Sequence, residues 1–183
     1  MSKLLSRREA LEILERVGCS QRVINHCKAV ARLSLKIAKK LQSKGFNVNL
    51  KLVEIGALLH DIGRSKTHSV NHVIIGSEIA RSLGLPEPLV LIIERHAGGG
   101  ITSEEARKLG WPSRSYVPET LEEKIVNYAD KLIEGERVVP ITRTLKKFSE
   151  ELGETHPAVE RIKKLHEEFL GLIGDINDPS NSS

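Results

Sequence analysis

The heptapeptide Leu58 to Arg64, LLHDIGR, sets His60 and Asp61 side by side at the end of an otherwise apolar run. Buried without partners, a neutral polar group costs roughly 2–7 kcal/mol and a charge costs more. Other ionisable residues fall on apolar stripes in the same way. His26 precedes Val30, Leu33 and Ile37 at helical spacing, His72 shares a face with Ile75 and Ile79, and His96 continues the stripe Leu89, Ile92, Ile93. Asp130 sits between Val126 and Ile133 in KIVNYADKLI. Taken singly, each reads as an ordinary hydrogen-bonded core residue. Together, four imidazoles and two carboxylates are a ligand set for a divalent metal, because imidazole suits Fe, Zn and Ni and carboxylate adds affinity for Mn or Mg. A dication would compensate the burial of both negative charges at once. It would also account for the His60–Asp61 pair. Neighbours on a helix diverge by about 100°, so at a helix end each can serve a different side, or the carboxylate can bridge two ions.

The remaining histidines read differently. His156 lies near a helix start before Pro157, and His166 borders the stripe of a charged helix, so both are assigned to structure. His68, in the loop RSKTHSV, is left open between substrate contact and solvent.

Helical periodicity supplies the elements that must position the six residues. Helices are expected over 7–17, 21–44, 50–60, 71–83 and 86–97, then 120–133, 141–152 and 158–173. The stretch AGGGITSEEARKLGWPSRSYVPET interrupts them with four Gly, two Pro and the single Trp, and holds one small helical piece over 104–109. No alternating run bounded by hairpin turn signals appears, so no strand is expected. The fold class is all-α. One domain is expected over 1–175, with the candidate ligands between 26 and 135, two closing helices over 141–173, and a frayed polar tail over 176–183.

Composition narrows the function classes. The chain has 183 residues, a formal charge of +4 and 3% aromatics, which suits an anionic ligand but supplies neither a strong basic footprint nor a base-stacking platform for nucleic acid. Cys19 and Cys27 form no CxxC pair and read as reduced thiols. Neither a signal-type apolar segment nor an 18-residue apolar run is present, so a cytoplasmic protein with no membrane partner is expected.

The ordered set His26, His60–Asp61 and Asp130, with HDIG at its centre, resembles the HD superfamily of metal-dependent phosphohydrolases. HVIIGSEIA and IIERHAGGG put His72 and His96 where two-metal members carry further histidines, and LEEKIVNYADKL is similar to the segment with their final Asp. In detail the pattern resembles the HD-type symmetrical dinucleoside polyphosphate hydrolases, with a shorter interval from Asp61 to His72 and a longer Gly-rich break after His96. It looks closest to an archaeal-type HDIG family. The resemblance implies an HD-domain helical bundle. It also implies one metal on His26, His60, Asp61 and Asp130, and a second on Asp61, His72 and His96 with Asp61 bridging. Mn, Fe, Ni, Co, Zn or Mg would serve, as one ion or two. Two ions about 3.5–4 Å apart activate water and clamp phosphoryl oxygens. The implied partner is a small phosphorylated substrate, a nucleotide above all.

Asp61 and Arg64 are the expected catalytic residues. Arg64 falls three residues after Asp61, where its guanidinium can bind substrate phosphate through paired hydrogen bonds. The insert over 98–118 carries Trp111 and Tyr116, which either close over a base as a lid or pin the excursion to the body. Arg95 and Lys131 adjoin ligands in sequence, but helix geometry turns them away, and Lys131 reads as a surface residue. Two other functions share the same residues: an HD-type di-iron oxygenase, and a nucleotide sensor with a structural metal. The first helix and the last two present enough apolar stripe to pair with a second subunit.

Overall fold

The computed structural model describes residues 4–176. Nine α-helices follow one another among the described residues: α1 (Arg7–Arg16), α2 (Gln21–Ser43), α3 (Leu50–Leu59), α4 (His72–Ser82), α5 (Glu87–Glu94), α6 (Ser103–Lys108), α7 (Leu121–Lys131), α8 (Ile141–Leu152) and α9 (Pro157–Ile173). The fold is all-α, as expected. Local chemistry sets the starts. Ser6 and Glu9 form a capping box on α1, Thr102 and Glu105 form another on α6, and Ser20, Asn49 and Thr120 each accept an amide N–H at the head of α2, α3 and α7.

The core is aliphatic, as the scarcity of aromatics requires. The long α2 packs along α3 and α7, α5 lies on α3, and Ile37, Leu41, Leu58, Leu59, Ile92, Ile93, Ile125 and Val126 are all fully buried between them. α9 closes this core with Ile162, Phe169 and Ile173. A separate small cluster of Val73, Ala106, Trp111 and Tyr116 sits under the insert. No helix among the described residues is long and apolar enough to cross a membrane.

Several boundaries differ from the sequence expectation. α3 ends at Leu59, so His60 caps it, and a 3-10 turn, Ile62–Ser65, carries the chain past Asp61. α5 ends at Glu94, so His96 lies beyond the helix whose stripe it continues. A two-stranded antiparallel hairpin, β1 (Ile133–Glu134) with β2 (Arg137–Val138), stands where no strand was expected, and Gly135 takes φ +61 at its turn. Two residues per strand are too few to show alternation. Ile176, the first residue of the expected tail, is buried and its carbonyl accepts from Lys36 Nζ at 3.1 Å, while 177–183 lie outside the described residues.

Candidate metal centre

Each of the four histidines has its Nδ1 held by a backbone carbonyl. His60 Nδ1 donates to Ala57 O (2.7 Å), His72 Nδ1 to Ser69 O (2.7 Å), His96 Nδ1 to Ile93 O (2.7 Å) and His26 Nδ1 to Gly135 O (2.9 Å). A carbonyl only accepts, so Nδ1 carries the proton and in the neutral ring Nε2 keeps its lone pair. All four Nε2 atoms face two carboxylates. His26 and His60 Nε2 lie 3.0 and 3.4 Å from Asp130 Oδ1, and 3.9 and 3.7 Å from Asp61 Oδ2. On the other side, His72 and His96 Nε2 lie 3.2 and 3.3 Å from Asp61 Oδ1. Asp61 therefore turns one oxygen to each histidine pair.

This geometry leaves atoms that the protein alone does not satisfy. His60 Nε2 is buried and makes no hydrogen bond. His72 Nε2 and His96 Nε2 stand 3.0 Å apart with their lone pairs facing. Donors that share one ion at about 2.0–2.2 Å are themselves roughly 3.0–3.4 Å apart, which is the spacing seen here. Two overlapping donor groups meet the requirement: His26, His60 and Asp130, and His60, Asp61 and His96, each with ligand atoms within 4.8 Å of one another. The residues present fit one or two divalent cations.

Electrostatics point the same way. Burial pushes the Asp61 carboxyl up, but the rings of His60, His72 and His96 outweigh it and hold the group well below the usual carboxylate range. Asp130 is pushed up by burial and drawn well down by Lys131, His26 and His60. Burial pushes His26 down, and Asp130 and Asp61 reverse this to a net rise. His96, fully enclosed, drops to about 4 through burial. Burial and then Asp61 raise Cys19 to about 11 and hold Cys27 well above the ordinary thiol value, and neither sulfur belongs to the two donor groups, which are made of N and O alone.

The second histidine pair is positioned by close backbone contact. A Cβ on Gly63 would lie 1.9 Å from His72 O and 2.7 Å from the Gly76 N, so the 3-10 turn and α4 meet with no room for a side chain. Trp111 Nε1 donates to Asn71 Oδ1 at 2.8 Å, tying the insert to the residue before His72. Trp111 and Tyr116 pack edge to face and are buried, so they pin the insert and are not free to stack on a ligand.

The centre opens into a cavity of about 1080 Å³ whose lining includes His26, Asp61, Arg64, His68, His72, His96 and Asp130. Arg64 reaches the edge of this cavity with Nε 2.8 Å from Asp61 Oδ1 and Nη1 donating to His68 O. His156 caps α9 and His166 bonds Tyr128 OH, in line with their structural assignment.

Lys131 corrects the sequence reading. Its side chain is buried in the site, where Nζ donates to Asp130 Oδ2 and to His96 O. Lys131 is the last residue of α7, where no further turn constrains its long stem and it can fold back past Asp130. Its place directly after the final Asp was the available signal. Arg95 stays outside the centre, paired with Glu119 and Glu123. The hairpin turn was also missed, and with it the Gly135 carbonyl that orients His26.

The HD domain family model matches residues 23–135, the stretch holding all six candidate ligands. The uncharacterized protein MJ0778 of Methanocaldococcus jannaschii is 48% identical over 90% of this chain and 97% of its own length. A tRNA (cytidine(56)-2'-O)-methyltransferase of Picrophilus torridus is 42% identical over 93% of this chain, which spans only 48% of that protein. Among solved structures, the HD domain of the Listeria monocytogenes phosphodiesterase PgpH, in complex with cyclic-di-AMP, aligns with a TM-score of 0.53 at 19% identity. That alignment covers 93% of this chain and 99% of the other, and at this identity it speaks for the fold alone. With its family match covering well over half the sequence, the chain belongs to the HD domain family.

Proposed function

We propose that the protein is a metal-dependent phosphohydrolase that cleaves a phosphoester or phosphoanhydride bond of a nucleotide or a similar small molecule. The observation that carries this reading is the convergence of four imidazole Nε2 atoms on two carboxylates, with buried donor atoms left unsatisfied, at the floor of an open cavity. His26, His60, Asp61 and Asp130 would hold one cation, and Asp61, His72 and His96 a second. When bound, such ions supply Lewis-acid activation of water and neutralise charge on the phosphoryl group.

The chain's own residues do the rest. Backbone carbonyls fix the histidine tautomers. Asp61 presents one oxygen to each side of the centre. Arg64, at the cavity edge, binds a phosphate oxygen through charge-assisted hydrogen bonds. Lys131 Nζ adds a buried positive charge beside Asp130. Arg22 lines the cavity too, as do Arg143, Lys146 and Lys147, which pair with Glu134, Glu150 and Glu151 on the same lining, so Arg22 and Arg64 are the cations that suit an anionic substrate. The PgpH domain's complex with cyclic-di-AMP supports a nucleotide as the first class to try.

The test is phosphate or nucleotide release from mononucleotides, cyclic and linear dinucleotides, dinucleoside polyphosphates and simple phosphoesters, with Mn²⁺, Fe²⁺ or Ni²⁺. Wild type is expected to turn over at least one class, and Asp61→Ala to lose that turnover by about three orders of magnitude or more. A metal-loaded wild type that releases nothing from any compound would end the hydrolase reading. Oxygen uptake by the iron-loaded protein would then favour the oxygenase.

A further inference from the structure

A second cavity, about 310 Å³, adjoins the first and shares Val70, Ala97, Gly98 and Phe148 with it. Its character is different. The first is lined by charged side chains of both signs and the candidate ligands, whereas the second is walled mainly by Val70, Ile101, Leu109, Phe148 and Leu152. Val70, Leu109 and Leu152 are three of the six large apolar side chains left exposed among the described residues, at 39%, 44% and 46%. Exposed apolar residues scattered singly need no explanation, but half of them converging on one hollow beside a candidate active centre do.

We propose that this hollow is the subsite for the base of a nucleotide whose phosphate lies at the metal centre. The inference rests on the phosphohydrolase reading for where the phosphate goes, and on the second cavity for the rest. Its volume is at the low end for a ligand pocket, enough for one ring system and not for a second phosphate-bearing half. α8 supplies the aromatic wall. Its apolar residues Ile141, Leu145, Phe148 and Leu152 recur at spacings of three and four, the first three pack on the core, and Leu152 is left at the open end.

Gly98 lines both cavities. A Cβ there would make ordinary contact, at 3.8 Å, with both Phe148 Cε1 and Ala158 Cβ, but φ +56 disfavours any side chain. Polar recognition is available from His156, also in the lining. Its Nδ1 accepts the Ala158 N–H at 3.2 Å, so in the neutral ring Nε2 carries the proton and can donate to a base carbonyl or ring nitrogen. The insert therefore does contribute to the ligand site, through Gly98, Ile101 and Leu109 and not through its aromatic rings.

The experiment measures binding without turnover. Isothermal titration of the Mn²⁺-loaded protein would compare the four common nucleoside 5'-monophosphates with ribose 5-phosphate, which keeps the phosphate and lacks the base. At least one mononucleotide is expected to bind about ten-fold or more tightly than ribose 5-phosphate, in line with base stacking on an aromatic wall. The double variant Leu109→Glu/Leu152→Glu changes only exposed rim positions. It should erase that advantage and leave ribose 5-phosphate affinity unchanged. No base-dependent gain in wild type, or a gain that survives in the variant, would overturn the subsite. A base-dependent gain in a protein that hydrolyses nothing would retain the subsite and remove the hydrolase; hydrolysis with no gain would do the reverse.

Discussion

At the residue scale, the adjacency of His60 and Asp61 is explained by the division of labour at Asp61, whose two oxygens face different histidine pairs. The ligand types were legible in the sequence because six ionisable residues on apolar stripes have few other uses. Lys131 was not legible, because the path of a four-carbon side chain at a helix end depends on the carbonyl it reaches, here His96 O. One pH prediction belongs here. His96 has a folded pKa of about 4, lowered by burial, against about 6.5 when unfolded. A depressed pKa contributes stability that is fully present above about pH 6.5 and is lost as pH falls toward 4. In the metal-free protein, the Tm advantage of wild type over His96→Gln should therefore shrink between pH 6.5 and 4. An advantage that stays constant across that window would place the titration elsewhere.

At the element scale, the periodicity marked the helices well and their ends poorly. Helix stripes are local patterns, whereas the stops at Leu59 and Glu94 free His60 and His96 to turn inward and are set by what each helix meets. The Gly63–α4 contact is such a meeting. Gly63→Ala forces apart the turn that carries Asp61 and the helix that carries His72, at a cost of about 1–3 kcal/mol or more. Thermal denaturation should show a Tm lower by roughly 2–12 °C, and binding at the His72–His96 side should weaken; an unchanged Tm would mean the turn can shift freely. The insert allows a complementary test. Trp111→Ala removes a buried ring and the bond to Asn71, with an expected loss of about 3 kcal/mol. Below its Tm the variant should keep nucleotide affinity within about two-fold. Lost affinity at unchanged stability would restore a stacking role to the ring.

At the scale of the whole molecule, the family match covers the helices that carry the candidate ligands, while α8 and α9 follow it in sequence and close the core and the second cavity. That division is why the centre was readable and the cavity was not. Ligand identity and order are written in the chain, but a hollow formed where 97–101, Leu109, Phe148 and His156 meet exists only after docking. We propose that His26, His60, Asp61, His72, His96 and Asp130 form one metal centre with Asp61 shared. Metal content per chain, measured by elemental analysis after anaerobic loading with Mn²⁺ or Fe²⁺ and removal of free ion, tests it most directly. Wild type should retain about two ions and Asp61→Ala at most one. A folded wild type that retains no divalent ion, or an Asp61→Ala variant that retains as much as wild type, would contradict it.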